Sequence, residues 1–338
     1  MDLAALDKEL GSLDIEQYEV KEYPKMVPGR TVHIDADFMA YMAAYERKDE
    51  DLTIEDIFYR ADVMIMDKMQ EAAAEFTVLH LTPSTSNKGG RYEAAIQKKY
   101  QATRAGEKPR HLEACREYMG KKTGHVKGIL WHNAEADDGM AEAGWKAYED
   151  GQQHLCVIAT KDKDLRMVPC FHLNWDTGEI TDIYSGITDM DNKREQVIGK
   201  STFGWIGIKE KISSSGKKTK KHDGFGTKFF WFQMLMGDTA DNIKGCPKAM
   251  IGGKLKACGL IGAYELLKDA KSDVECLKIC MKEYSRNKYV HWEHGEAVEW
   301  QDAFWSEAEL LWMQRTPGDI EDVHTWVREI ILKSKEQN

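Results

Sequence analysis

A chain of 338 residues, 42% hydrophobic and 31% charged, can bury one large core or two smaller ones, and two domains are expected. No run approaches the roughly 18 to 20 apolar residues of a membrane span, and the N-terminus is acidic where an export signal is basic and then apolar. A soluble cytoplasmic protein with no membrane partner is therefore expected. The formal net charge of −10 argues at first against a polyanionic partner, yet residues 88–127 hold eleven Lys and Arg against four Glu and no Asp, and 209–221 hold six lysines.

In chain order, four short runs, TVHID, FTVLHLT, GILWH and HLCVIAT, are nearly continuous in apolar residues, as strands covered on both faces are. Helical patterns separate them. Ile54, Phe58, Ala61 and Met64 recur at helical spacing, and DDGMAEAGWKAYE lies between the third and fourth runs. The alternation predicts an α/β fold with a parallel central sheet flanked by helices. FHLNWDTGEITDIY then reads as a hairpin turning at Thr177 and Gly178. The expected segments are an acidic N-terminal extension over 1–29, an α/β domain over 30–190 with a basic insertion at 84–127, a lysine-rich mobile loop over 191–228 and a helical region over 229–338. Seven cysteines, without a C-x-x-C pair, speak against a disulfide framework or a zinc knuckle.

The acids fall at particular places. Asp35 and Asp37 end the first run, Glu135, Asp137 and Asp138 follow the third, and Asp162 and Asp164 follow the fourth. In a parallel sheet those carboxyl ends share one edge, where ligands bind. Asp238 and Asp241 form a further pair in MGDTADN. Any one of these acids is as well explained by helix capping, worth about 0.3 to 2 kcal/mol. Nine of them in four groups point instead to cations, because crowded carboxylates raise each other's pKa unless a positive ion neutralises them. Oxygen donors without a His or Cys constellation favour Mg²⁺ or Mn²⁺ over zinc, and this many acids suggests two ions. Such a centre serves phosphoryl chemistry, and the basic segments supply cations for a phosphate backbone.

Taken together, HIDAD, YQATR, EADDGMA, ATKDKD and LMGDTADNIKG, in this order between Val32 and Leu267, resemble the flap endonuclease and 5′-3′ exonuclease family, in particular its compact phage members. The resemblance implies a PIN-like nuclease fold whose helical region contains a helix-three-turn-helix element, to which GCPKAMIGGKLKACGLIGAYELL is similar. It implies that Asp35, Glu135, Asp137 and Asp138 serve a first ion, and Asp162, Asp164, Asp238 and Asp241 a second. It implies that Tyr100 and Arg104 act on the scissile phosphate from a helical arch and that Arg91 contacts nucleic acid. Where the family has a lysine after the tyrosine this chain has Gln101, so Lys98 or Lys99 is expected to reach in. The second run ends in Pro83 and Ser84 where the family carries an aspartate, and Asp37, on the same side as Asp35, is a candidate replacement.

Lys121 and Lys122 in the basic insertion, and Lys244, Gly252, Gly253 and Lys254 in the turn element, are further nucleic-acid candidates. Backbone amides at a helix start after the two glycines would hold a phosphate, and the resemblance implies a K⁺ option at carbonyl oxygens there. No Ser or Thr follows Lys254, which speaks against a Walker-type nucleotide loop. Trp292, Trp300, Trp305 and Trp312 read as core residues. The implied activity is 5′-3′ exonuclease or flap endonuclease action on DNA duplexes with a 5′ end or flap, with RNase H-type action on RNA–DNA hybrids as an option, in replication or recombination and in a host cytoplasm if phage-encoded. A PIN-like single-strand RNase, a nuclease-weakened DNA-binding protein and a phosphatase are the alternatives, and the basic insertion has a plain reading as a solvated helical hairpin.

Overall fold

The computed structural model describes residues 21–48, 50–102, 106–182, 187–190, 193–196, 202–212, 216 and 218–336. Most of the acidic extension and Arg104 lie outside the described residues. In chain order the α/β part contains β1 (Val27–Asp35), α1 (Ala36–Ala44), α2 (Ile54–Glu71), β2 (Ala74–Leu81), a single turn α3 (Arg91–Ala94), α4 (Leu112–Gly120), β3 (Val126–Leu130), α5 (Ala136–Glu149), β4 (Cys156–Thr160), β5 (Phe171–Asn174) and β6 (Ile180–Asp182).

These strands form one six-stranded sheet in the order β3-β2-β1-β4-β5-β6. All neighbouring pairs are parallel except β5 with β6. β1, β2 and β3 step outward to one side, and β4 returns to the other side of β1, so the strand order reverses between β1 and β4. A crevice opens at such a reversal, outside the carboxyl ends of the two strands. Register holds those ends level, with Ile34 opposite both Leu79 and Ala159.

Alternation along β4 sends Val157 and Ala159 into one core and Cys156 and Ile158 into another, which is why the run is continuously apolar. The first core joins the sheet to α1, α2 and α4 through Met39, Ile57, Ala61, Ile65, Cys115 and Met119. The second joins it to α5 and to the helical half: α6 (Thr227–Met236), α7 (Gly259–Leu267), α8 (Asp273–Tyr284), α9 (Trp300–Leu311) and α10 (Asp322–Glu336). α6 is buried on all sides, Phe229, Phe230, Trp231 and Phe232 fully so, as a helix at the centre of a core requires. Trp312 stacks on Trp326 with ring centroids 4.4 Å apart and is 1% exposed, whereas Trp292 is 40% exposed and does not belong to the core.

Three stretches differ from expectation. The expected loop at 191–228 instead contains β8 (Lys193–Gln196), which pairs with the preceding β7 (Ile187–Met190), and a hairpin of β9 (Trp205–Ile212) with β10 (Lys218–Phe225). Trp205 and Ile206 are buried and anchor the latter hairpin, so packing overrides its lysine-rich composition. Within the helical half, β11 (Lys248–Ile251) pairs with β12 (Lys254–Ala257), and a short pair, β13 (Tyr289–Val290) with β14 (Ala297–Val298), follows α8. Gly252 and Gly253 turn the β11–β12 hairpin with φ of 59° and 75°, and the next helix begins at Gly259. The two glycines are therefore not a helix start; consecutive left-handed residues are what a two-residue hairpin turn demands.

No helix of the described residues is long and apolar enough to cross a membrane. All seven cysteines are buried thiols, none of them in a disulfide.

Candidate metal centre

The reversal between β1 and β4 holds a cleft of about 270 Å³ lined by Asp35, Asp37, Glu135, Asp137, Asp162, Asp164 and Asp241, together with Lys88, Tyr100 and Gln101. Local hydrogen bonds set this wall. Asp35, the last residue of β1, caps α1 by accepting the Phe38 amide at 3.0 Å, and its other oxygen accepts from the Thr160 hydroxyl at 3.0 Å. The Asp162 amide donates to the same hydroxyl at 2.9 Å, and the Asp164 amide donates to Asp162 Oδ1 at 2.8 Å. The start of α5 is tied to the end of β2 by the Ala136 amide, which donates to Thr82 Oγ1 at 2.8 Å. Asp37 reaches the same strand end and accepts the Thr82 amide at 2.9 Å. Asp164, Asp238 and Asp241 bring one ligand oxygen each within 4.8 Å of one another.

Burial dominates the electrostatics. It pushes Asp35 up to about 6, with the Asp37 charge adding to it. Burial also takes Asp162 to about 6, and burial with the Asp162 charge takes Asp164 to about 7. Asp137 lies well above the ordinary carboxylate range, first through burial and then through Asp162, Asp35, Glu135 and Asp138. Two acids go the other way. Burial disfavours the Glu135 charge, but Arg91 and Lys88 outweigh it and hold this carboxyl low. Its oxygens accept from Lys88 Nζ and the Tyr100 hydroxyl, both at 2.9 Å, and from Gln101 Nε2 at 3.3 Å. Asp238 is likewise held low against burial by Lys163.

Several expected site residues sit elsewhere. Asp138 and Arg91 are both fully buried and face each other in a two-pronged pair, with Arg91 Nη1 2.8 Å from Oδ2 and Nη2 2.7 Å from Oδ1. Asp138 also accepts the amides of Glu135 and Gln314, at 2.9 and 3.0 Å. Arg91 is thus sealed from solvent and cannot touch nucleic acid, and Asp138 caps α5 and joins it to the helical half instead of facing the cleft. One step along an α-helix turns a side chain by about 100°, so Asp137 and Asp138 cannot share a wall. Lys98 and Lys99 are exposed and do not line the cleft. The lysine that enters is Lys88.

Lys88 is carried in by a turn in which Lys88, Gly89 and Gly90 are all left-handed, with φ of 57°, 65° and 82°. The Asn87 side chain accepts the Gly89 amide at 3.1 Å, and a Cβ on Gly89 would fall 2.8 Å from Gln314 Nε2, so the turn is specified closely. The paired glycines after Lys88 were the signal for it in the sequence. Lys122 is engaged by Asp62 at 2.6 Å, whereas Lys121, Lys244 and Lys254 are exposed. Part of the basic insertion is scaffold: α4 packs on α2 through Phe58 and Tyr118, whose rings stack at 4.1 Å.

The donor set fits hard divalent cations. Every cleft acid offers oxygen, and among the described residues no His or Cys lines the wall and Lys88 is the one lysine that does. No family model matches the chain and no curated protein matches it. Among solved structures it is similar to the D15 protein of phage T5 co-crystallised with metal ions, at 10% identity and a TM-score of 0.47 over 89% of this chain and 98% of that one. It is also similar to a variant bacteriophage T5 D15 flap endonuclease in a pseudo-enzyme–product complex with DNA and metal ions, at 14% identity and a TM-score of 0.46 over 88% of this chain and 90% of that one.

Proposed function

We propose that this protein is a divalent-metal-dependent nuclease that hydrolyses DNA phosphodiesters at or near 5′ ends, with Mg²⁺ or Mn²⁺ as its ions. The observation that carries the reading is the convergence of seven carboxylates from four chain segments on one cleft, three of them displaced to about 6 or 7. So much buried negative potential serves binding of a cation better than it serves folding.

Bound ions would neutralise the acids, activate water and stabilise charge on the phosphorus. Asp35, Glu135 and Asp137 would hold one, with Asp37 supplying the charge absent at Pro83. Asp162, Asp164, Asp238 and Asp241 would hold the other. Tyr100 positions Glu135 through its hydroxyl, and Lys88 presents an ammonium to the scissile phosphate. The α/β part over 30–190 carries most of the chemistry, and the helical part over 229–338 adds Asp238 and Asp241 and grips duplex. In this reading α6, the Asp238–Lys244 turn, the β11–β12 hairpin and α7 serve as a helix-three-turn-helix element, with exposed Lys244 and Lys254 meeting phosphates.

The test uses 5′-labelled duplex, 5′-flap DNA and RNA–DNA hybrid with Mg²⁺ or Mn²⁺. Cleavage from the 5′ side is expected, stopped by EDTA and by Asp162→Ala or Asp241→Ala. Cleavage that survives both substitutions overturns the site assignment, and duplex binding without any metal-dependent cleavage overturns the enzyme reading.

A further inference from the structure

Lys163, between the two acids of KDKD, does not line the cleft but places its ammonium between Asp164, which does, and Asp238 beside it. Nζ is 2.8 Å from Asp164 Oδ1 and 2.5 Å from Asp238 Oδ2. Both carboxylate side chains are only 5% exposed. Each Asp238 oxygen already accepts a donor in this arrangement, Oδ1 taking the Ala240 amide at 2.8 Å. Asp164 Oδ1 is shared with Gln233 Nε2 at 2.6 Å.

The three donors are not equally replaceable. The Ala240 amide belongs to the backbone, and Gln233 is fully buried in α6, so neither leaves without opening the fold. The Lys163 side chain keeps 24% of its exposure and ends a flexible four-carbon stem. It can swing to solvent while the acids stay put. Two cations cannot share the Asp164–Asp238 gap, where their repulsion would be exerted in a poorly screened interior.

We infer that Lys163 is a built-in cation that occupies the Asp164–Asp238 position until a divalent ion displaces it. This rests on the reading of the cleft as a divalent-metal centre. The lysine keeps the acid cluster from repelling itself, and it weakens cation binding at this position in inverse proportion to the fraction of time the gap is open. The two ions therefore load unequally, the one at Asp164, Asp238 and Asp241 being the weaker.

The probe is Mn²⁺ alone, titrated into the full chain and followed by electron paramagnetic resonance and by calorimetry, with wild type, Lys163→Met, Lys163→Gln and Lys163→Arg compared. Wild type is expected to show two unequal affinities. Both neutral variants should tighten the weaker one about tenfold or more, the factor that applies when a site is open about a tenth of the time or less. Lys163→Arg keeps the charge and should not tighten it. Without metal the neutral variants should melt at lower temperature than wild type, and Mn²⁺ should restore them. A lysine with only a structural role would lower the melting temperature without tightening Mn²⁺, which overturns the inference. Equal Mn²⁺ affinities in wild type and in whichever neutral variant folds also overturn it, while leaving the metal centre standing. Absence of Mn²⁺ binding in every protein overturns the centre itself, and the displacement with it.

Discussion

Replacing Arg91 by Met separates the sealed ion pair from a nucleic-acid contact. The guanidinium is fully buried and meets Asp138 at 2.7 and 2.8 Å, the Trp312 carbonyl at 2.9 Å and the Lys88 carbonyl at 3.2 Å. Its loss leaves a buried carboxylate with two amide donors and no counter-charge, together with two deprived carbonyls. Breaking one side of such a pair costs about 3 to 5 kcal/mol. That corresponds to a fall in melting temperature on the order of 10 °C. Asp138→Leu should be similarly costly, and the Arg91→Met/Asp138→Leu double variant should cost less than the sum by about 0.5 to 3 kcal/mol. Urea unfolding of the four proteins followed by circular dichroism measures all three quantities. Should Arg91→Met keep wild-type stability while losing DNA affinity, Arg91 is a substrate contact and the buried pair is not what it does.

The raised carboxyls give the metal-free protein an unusual pH response. Asp35 and Asp162 titrate at about 6 and Asp164 at about 7 instead of 3.8, so between roughly pH 4 and 7 the folded chain holds protons that the unfolded chain has released. Their contribution to stability therefore falls as pH rises through that window. Melting in EDTA should become easier from pH 5 to 8 and saturating Mg²⁺ should flatten the trend; an unchanged or rising EDTA curve refutes the crowding. Asp137→Asn should change metal-free stability at neutral pH by no more than about 0.5 kcal/mol, while lowering kcat by on the order of 100-fold or more; retained Mn²⁺ affinity and turnover would remove Asp137 from the site. Lys98→Ala with Lys99→Ala should flatten the salt dependence of duplex binding by about 0.9 for each phosphate no longer neutralised, and an unaltered slope would mean that both lysines only face water.

The strands, their parallel order and the placement of acids at strand ends were legible because they follow local rules: an apolar run covered on both faces, then a polar residue where the strand stops. The turn at Gly178, with φ of 70°, follows from the same reasoning. Other features depended on partners distant in the chain. Arg91 meets Asp138 across 47 residues and the Trp312 carbonyl across 221, and no local pattern announces either contact. That Asp137 faces the cleft and Asp138 the core is decided by how α5 is rolled against the helical half. Lys88 outranks Lys98 and Lys99 because a left-handed turn carries it inward, and Lys163 lies in the cluster only because α6 brings Asp238 there. Composition reports what a segment can do beside its neighbours; which charges end up together is set by packing, since burial is what makes their pairing matter.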